Sequence, residues 1–186
     1  FVDGKPCPAG SRNEGINGQG LMSWKCDMTV NKVLMDNNSF YGIGMFNTYE
    51  IPAVLVVTDV VIRNTQPTPG MRTSDLFPWA DNEAGIGLLI WGGEAYVDRI
   101  LLENNSTANL LVMESAYPCD TTTFQACDET YAVLENVTSK SANMDTTGHF
   151  GAGAIVMDGA EALVSKASFD KSHATGIMIM DAMRRN

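Results

Sequence analysis

The sequence predicts an all-β chain wound as a solenoid of stacked coils. Three observations carry that reading: an internal repeat of 67 residues, apolar residues grouped in strand-length clusters, and Asn or Gly where the chain must bend. The 186 residues are 45% hydrophobic, enough apolar surface for a real core. They read as one segment, residues 1–186, with no internal domain boundary.

The repeat comes first. Val33-Leu-Met-Asp-Asn-Asn-Ser39 recurs as Ile100-Leu-Leu-Glu-Asn-Asn-Ser106 and, worn, as Ala167-Ser-Phe-Asp-Lys-Ser-His173. Gly20, Leu21 and Trp24 fall over Gly87, Leu88 and Trp91, then over Ala154, Ile155 and Asp158. Val30, Val97 and Val164 align, as do Ile43, Leu110 and Ile177. A related unit lies half a period on: the run Val56 to Thr65 has the cadence of Val133 to Ala142. An insertion holding Pro118-Cys119 to Cys127 accounts for the longer offset of the second copy. Each 67-residue repeat is therefore expected to hold two coils, with extra residues looping out between Gln66 and Ala84.

Each coil element follows from its local sequence. Leu21-Met22, Met28 to Val30, Val33 to Met35 and Ile43 to Phe46 are too short for helices and rich in β-formers. The in/out parity shifts between Val30 and Val33, which places a bend at Asn31-Lys32. Asn37-Asn38 and Asn104-Asn105 mark another, because Asn tolerates left-handed backbone angles. Three short strands per coil is the expectation, each paired in parallel with its copy about 4.8 Å away. Interior ladders of like residues follow, Val30–Val97–Val164 and Leu21–Leu88–Ile155 among them. Asn37, Asn64 and Asn104 either form an amide ladder or are ordinary turn residues; Ser141 and Lys171 interrupt the series.

With the motifs V-x-D-V-V-I-R-N-T at 57–65, I-L-L-E-N-N at 100–105 and G-I-M-I-M at 176–180, the chain resembles the right-handed parallel β-helix proteins of the pectate-lyase-like superfamily. It is most similar to the secreted and surface β-helix-repeat proteins of myxobacteria and related bacteria. The resemblance runs from Gly18 to Asp181. It implies a right-handed winding, which agrees with the handedness of parallel crossovers. It specifies a fold far better than an activity.

Charge narrows the partners. Twelve basic against 22 acidic residues give −10 at pH 7, which argues against nucleic acid and against an anionic membrane surface. No apolar run approaches the roughly 18 residues of a membrane-spanning helix. The longest, Ile51 to Val57 and Ile86 to Trp91, are of strand length. No signal-peptide pattern precedes Phe1, so the chain reads as a mature product or an excised piece.

Enzymes of the resembled superfamily cleave polysaccharides with paired carboxylates, or with calcium and a basic residue. The N-T-D and G-H-G blocks of polygalacturonases and the R-x-P-x-x-R pattern of pectate lyases are absent; Gly148-His149-Phe150 is a fragment of one. His149 in a loop and His173 at a bend read as solvated rather than catalytic. Asp27, Glu94 and Glu161 share one repeat position, and Asp36, Glu103 and Asp170 another, with Lys32, Arg99 and Lys166 between. A catalytic pair is normally unique, so recurring columns read as charge compensation on a solvated face. No catalytic residue, metal ligand or cofactor is assigned. Dense calcium spacing and a Cys/His zinc cluster are both missing.

Trp24 and Trp91 recur at one position and are candidate sugar-docking residues together with Trp79. The alternative is packing beneath the Gln66 to Ala84 loop, which carries Phe77, Pro78 and Trp79. Cys7, Cys26, Cys119 and Cys127 are expected to form disulfides in an oxidising location, though sequence alone does not choose the pairing. The sequons at Asn37, Asn104, Asn105 and Asn136 are expected to be bare, since the repeat style looks bacterial. The apolar run Gly176 to Met183 is followed by nothing that caps it. Further β-helix coils, or another chain, are therefore expected at the C-terminal face. The functional expectation is a secreted or cell-surface structural and binding module. The alternative is a polysaccharide lyase or glycoside hydrolase.

Overall fold

The computed structural model describes residues 20–47, 53–67, 84–114, 130–144, 148 and 150–180. Among them the chain forms strands β1 (Leu21–Trp24), β2 (Met28–Asn31), β3 (Leu34–Asp36), β4 (Tyr41–Phe46) and β5 (Val54–Arg63). It continues through β6 (Ile86–Trp91), β7 (Glu94–Glu103), β8 (Ala108–Met113) and β9 (Tyr131–Lys140). It ends with β10 (Ala152–Met157), β11 (Glu161–Ser165), β12 (Ser168–Asp170) and β13 (Thr175–Met180). The described chain is all-β, and the strand pairs within its sheets are parallel.

The strands fall into two sheets, and the chain alternates between them. One is six-stranded in the order β1-β4-β6-β8-β10-β13. The other runs β11-β9-β7-β5-β2, with β3 also on β5 and β12 also on β9. Spatial neighbours thus follow one another along the chain within each sheet, as short un-knotted connections require.

Register ties the repeat to space. Val30 pairs with Val57, Val57 with Val97, Val97 with Leu134 and Leu134 with Val164. The three valines expected to align therefore stand in one column. In the other sheet Leu21, Ile43, Leu88, Leu110, Ala154 and Ile177 form a column. Here the third copy departs from the expected alignment: Ala154, not Ile155, continues from Leu88, and Met157, not Asp158, continues from Trp91. The cause is local. Gly153 must occupy the glycine position of the strand, because a Cβ there would lie 2.8 Å from the Phe169 ring and 2.5 Å from the Gly176 carbonyl. An extra residue in the turn Asp158-Gly159-Ala160 then restores the phase before Glu161.

The bends sit where the sequence marked them, one by parity at Asn31-Lys32 and one by Asn at Asn37-Asn38. Lys32, Asp59, Arg99, Asn136 and Lys166 share a left-handed corner with φ of 50–55°. Asn37, Asn64, Asn104, Ser141 and Lys171 share a second, with φ of 51–58°. The expectation of three separate strands per coil holds only at the edges, where β2 and β3, or β11 and β12, are distinct. In β5, β7 and β9 the corner is a single residue inside a ten-residue strand. One left-handed residue turns the chain and flips the side-chain parity without breaking the pairing on either side.

One cluster is built by both sheets: Val30, Val57, Val97 and Leu134 from one, Ile43, Leu88, Leu110 and Ala154 from the other. A second lies on the opposite face of the six-stranded sheet and includes Tyr41, Leu89, Trp91, Leu111, Ile155 and Met157. That sheet is buried on both faces, which is why β6 and β8 read as apolar runs broken only at Gly87 and Asn109. The other sheet alternates, its outer face half-exposed. Each fully buried aliphatic side chain contributes about 1.5–3 kcal/mol, so the stacked columns are the main source of stability.

Candidate binding surface

The outer face of the seven-stranded sheet carries the chemistry. Val54, Glu94, Tyr131 and Glu161 form one column, and Val56, Tyr96, Val133 and Leu163 the next. Tyr96 and Leu163 are exposed, 42% and 57%. Tyr131, Glu161, Ala162 and Leu163 line a shallow depression at the end of this face. The Tyr96 hydroxyl donates to Glu94 Oε2 at 2.9 Å, which raises the phenol pKa above its ordinary value. Phenol faces beside carboxylate acceptors are the groups that dock a hydroxyl-rich ring: CH groups pack on the aromatic plane and OH groups donate to the acids.

The acidic column expected at Asp27, Glu94 and Glu161 is interleaved with other chemistry. Asp27 Oδ1 accepts the Val54 backbone N–H at 2.8 Å, so that carboxylate fixes a strand end. Tyr131 stands between Glu94 and Glu161. Two strand spacings therefore separate those carboxylates, roughly 9–10 Å.

The second acidic column is a ladder of alternating sign. Asp36, Arg63, Glu103, Lys140 and Asp170 follow one another in register. Arg63 Nη2 reaches Asp36 Oδ2 at 2.8 Å, and Asn64 Nδ2 donates to Asp36 Oδ1 at 2.8 Å. The Arg63 and Asn64 bonds hold the Asp36 carboxyl below the usual carboxylate range. The adjacent corner column runs Lys32, Asp59, Arg99, Asn136, Lys166. There Arg99 Nε reaches Asp59 Oδ1 at 2.6 Å, and Arg99 lowers the Asp59 pKa. Arg99 also bonds Asp98, while Lys166 bonds Glu135 at 2.6 Å. Arg63 and Lys140 fall outside the 67-residue periodicity because they lie in the half-period units. Their parity with Asp36 and Glu103 is the sequence signal that could have found them.

Trp24 and Trp91 lie in one column with Phe46 between them, on the six-stranded sheet. Trp24 stacks on Phe46 with centroids 5.9 Å apart, and Phe46 tilts against Trp91 at 5.7 Å. Trp91 is 4% exposed and belongs to the core, whereas Trp24 is 42% exposed. Trp79 lies outside the described residues, as do Cys7, Cys119, Cys127, His149 and most of the Gln66 to Ala84 loop. His173 is exposed at its bend.

A buried polar chain was not anticipated from sequence. Asn105 Nδ2 donates to Asn109 Oδ1 at 2.8 Å, Asn109 Nδ2 donates to Ser139 Oγ at 2.8 Å, and Ser139 Oγ donates to the Gly153 carbonyl at 3.2 Å. Asn105 Oδ1 accepts the Thr65 backbone N–H at 3.0 Å. Asn105, Asn109 and Ser139 are fully buried. Of the two readings of Asn37, Asn64 and Asn104, amide ladder or turn residues, the amide chain found starts instead at Asn105, a residue further on and inside the stack. The left-handed Asn37 is exposed, and Asn64 Nδ2 bonds Asp36 instead. In the flanking repeats Gly42 and Gly176 replace Asn109, and Asn38 Nδ2 and Ser172 Oγ have no hydrogen-bond partner among the described residues.

Neither a protein-family model, a curated protein nor a solved structure matches this chain.

Proposed function

We propose that the chain is a right-handed parallel β-helix serving as a secreted or cell-surface structural and binding module, bacterial in style, without catalytic activity of its own. The carrying observation is that Asp36 and Asp59 are each engaged by an Arg of a neighbouring strand, and Glu135 by Lys166 at the corner between β11 and β12. Their Arg partners hold the Asp36 and Asp59 carboxyls below the usual range, so these two stay ionised, cross-link strands and are poor general acids. Alternation of the chain between two parallel sheets, with left-handed corners in columns, supports the β-helix reading. Cys26, the described cysteine, is not a free thiol, which supports an oxidising location.

The binding face is the Tyr96–Tyr131 surface flanked by Glu94 and Glu161, and its ligand class is a neutral polysaccharide. An acidic glycan would meet a chain of net charge −10. Affinity electrophoresis against a panel of neutral and acidic polysaccharides tests this. Retardation by a neutral glycan, lost in Tyr96→Ala and Tyr131→Ala, is the expected result. Retardation unchanged in both variants would remove this face from the account.

A second reading, a polysaccharide lyase or glycoside hydrolase, is favoured by one observation. Glu94 and Glu161 are two strands apart, a gap at the upper limit of that of inverting glycosidases. New reducing ends or unsaturated products that disappear in Glu94→Gln and Glu161→Gln would favour it over the binding module.

A further inference from the structure

The outer face of the seven-stranded sheet has a grain that runs across its strands. Thr29, Val56, Tyr96, Val133 and Leu163 follow one another in register, one per strand. After Thr29 that column is aliphatic or aromatic throughout, from β5 to β11. Glu94, Tyr131 and Glu161 lie two residues to one side of it, on the same face. Asp98 and Glu135, register partners of each other, lie two residues to the other side. An apolar track one side chain wide therefore has carboxylates along both edges. Tyr96 lies down in it. Its hydroxyl reaches Glu94, two residues back on the same strand, at 2.9 Å, so the phenol points along the strand rather than away from the sheet.

One edge offers acceptors whose charge is already offset. Asp98 is bonded by Arg99 and by Asn136 Nδ2, the latter at 2.8 Å, and Glu135 by Lys166 at 2.6 Å. An ionised carboxylate keeps acceptor sites beyond such bonds. A ligand that lays CH groups on the track and donates hydroxyls at both margins fits this arrangement, whereas a cationic ligand gains little from acids already paired. Sugar rings whose hydroxyls are all equatorial have that shape, with CH groups on both faces and OH groups around the rim. Strands repeat every ~4.8 Å, about the length of one such ring along a β-1,4-linked chain. An α-1,4 or β-1,3 linkage coils the chain and lifts successive rings off a straight track.

We infer that this track takes a flat, β-1,4-linked neutral glycan of all-equatorial sugars, running across the strands with one ring per strand. Strands β5, β7, β9 and β11 are consecutive in the sheet, so Val56, Tyr96, Val133 and Leu163 each seat a ring. Discrimination comes from the straightness of the ligand rather than from a deep pocket. This inference rests on the binding-module reading above and adds the linkage, the direction of the chain and the second edge at Asp98 and Glu135.

The test is calorimetric titration of the whole chain with gluco-oligosaccharides, from disaccharide to hexasaccharide, in β-1,4, α-1,4 and β-1,3 series. Affinity should climb with length in the β-1,4 series, level off at the tetrasaccharide, and exceed the other two series by about tenfold or more at the hexasaccharide. Val133→Lys sets a charge in mid-track and should lower the β-1,4 affinity by about tenfold or more. Val61→Lys, on the same sheet but beyond the Arg99 corner column, should leave it unchanged. Asp98→Ala should weaken binding in the same direction as Glu94→Ala, since both edges accept hydroxyls. If Val133→Lys does not fold, the linkage and length series on the unaltered chain decides by itself. Equal affinity across the linkages, no gain beyond the disaccharide, or no binding of the β-1,4 series overturns the inference. Retardation by another neutral glycan that depends on Tyr96 and Tyr131 would then leave the binding-module reading standing, whereas failure of every neutral glycan to bind would remove both.

Discussion

Asn109 lies between Asn105 and Ser139, accepting from the first at 2.8 Å and donating to the second at 2.8 Å, inside a stack where five glycines occupy the equivalent place. Gly20, Gly42, Gly87, Gly153 and Gly176 leave room; Asn109 alone fills it with a polar side chain. Low local dielectric makes such a chain strong when complete and costly when broken.

Removing one member should therefore cost more than the bond itself. Asn109→Ala is expected to destabilise by about 1–3 kcal/mol, because buried polar groups of Asn105 and Ser139 lose a partner. Urea denaturation checks the magnitude. Combined with Asn105→Ala it should be clearly non-additive, since both changes disrupt one network.

Gly87 lies against the same network. A Cβ there would come within 2.6 Å of Asn105 Nδ2 and 2.5 Å of the Asn109 carbonyl. Gly87→Ala is expected to lose about 1–3 kcal/mol by overpacking. Gly148 provides the contrast: its φ is +80°, and a Cβ added there would meet nothing within 4 Å. Its Ala variant meets only backbone strain, about 1 kcal/mol. Thermal denaturation of the two variants side by side should show the larger drop for Gly87→Ala.

The ionic ladders predict a pH dependence with a definite sign. Arg63 depresses the Asp36 pKa and Arg99 that of Asp59, so the folded chain holds fewer protons there than the unfolded one. Their stabilisation is present above the ordinary carboxylate range and is lost as pH falls through the depressed folded values. Arg63→Gln should move the Asp36 carboxyl resonance titration upward and flatten the acid limb of the stability profile. Both groups are at the surface, so added salt should shrink the effect.

Tyr41 predicts the alkaline limb. Burial raises its phenol to about 12 from the ordinary 10.0, because the phenolate would lose its water. The unfolded chain then releases the proton first as pH rises. Stability is complete below the ordinary tyrosine value and falls as pH climbs from there through the folded value. Tyr41→Phe should remove that part of the alkaline decline, read as denaturation midpoints at neutral and alkaline pH. Phenolate absorbance should show one late-ionising group missing.

Residues that recur in phase were legible, and residues that act once were not. Val30, Val97 and Val164 announced their column because each copy must fill the same slot with a similar volume. The corners at Lys32 and Asn37 were legible for a related reason: a parity shift and an Asn pair mark a change of backbone hand. The one-residue slip at Gly153 was hidden, because its cause is the ring of Phe169 pressing from another strand. Asn105 looked like a turn residue, since nothing in N-N-S distinguishes an amide facing water from one facing Asn109. Tyr96 and Tyr131 drew no notice because they fall in different units and share one face only once pairing is known, Tyr131 opposite Glu94 and Tyr96 opposite Val133.

The pairing order has one more consequence. Within each sheet a strand pairs only with its predecessor and successor in the column, so the hydrogen-bond ladders open in sequence even though the two sheets share one core. Among the described strands, opening should begin at Thr175–Met180, where Ile179 already meets water, and travel inward one strand at a time, like a zipper.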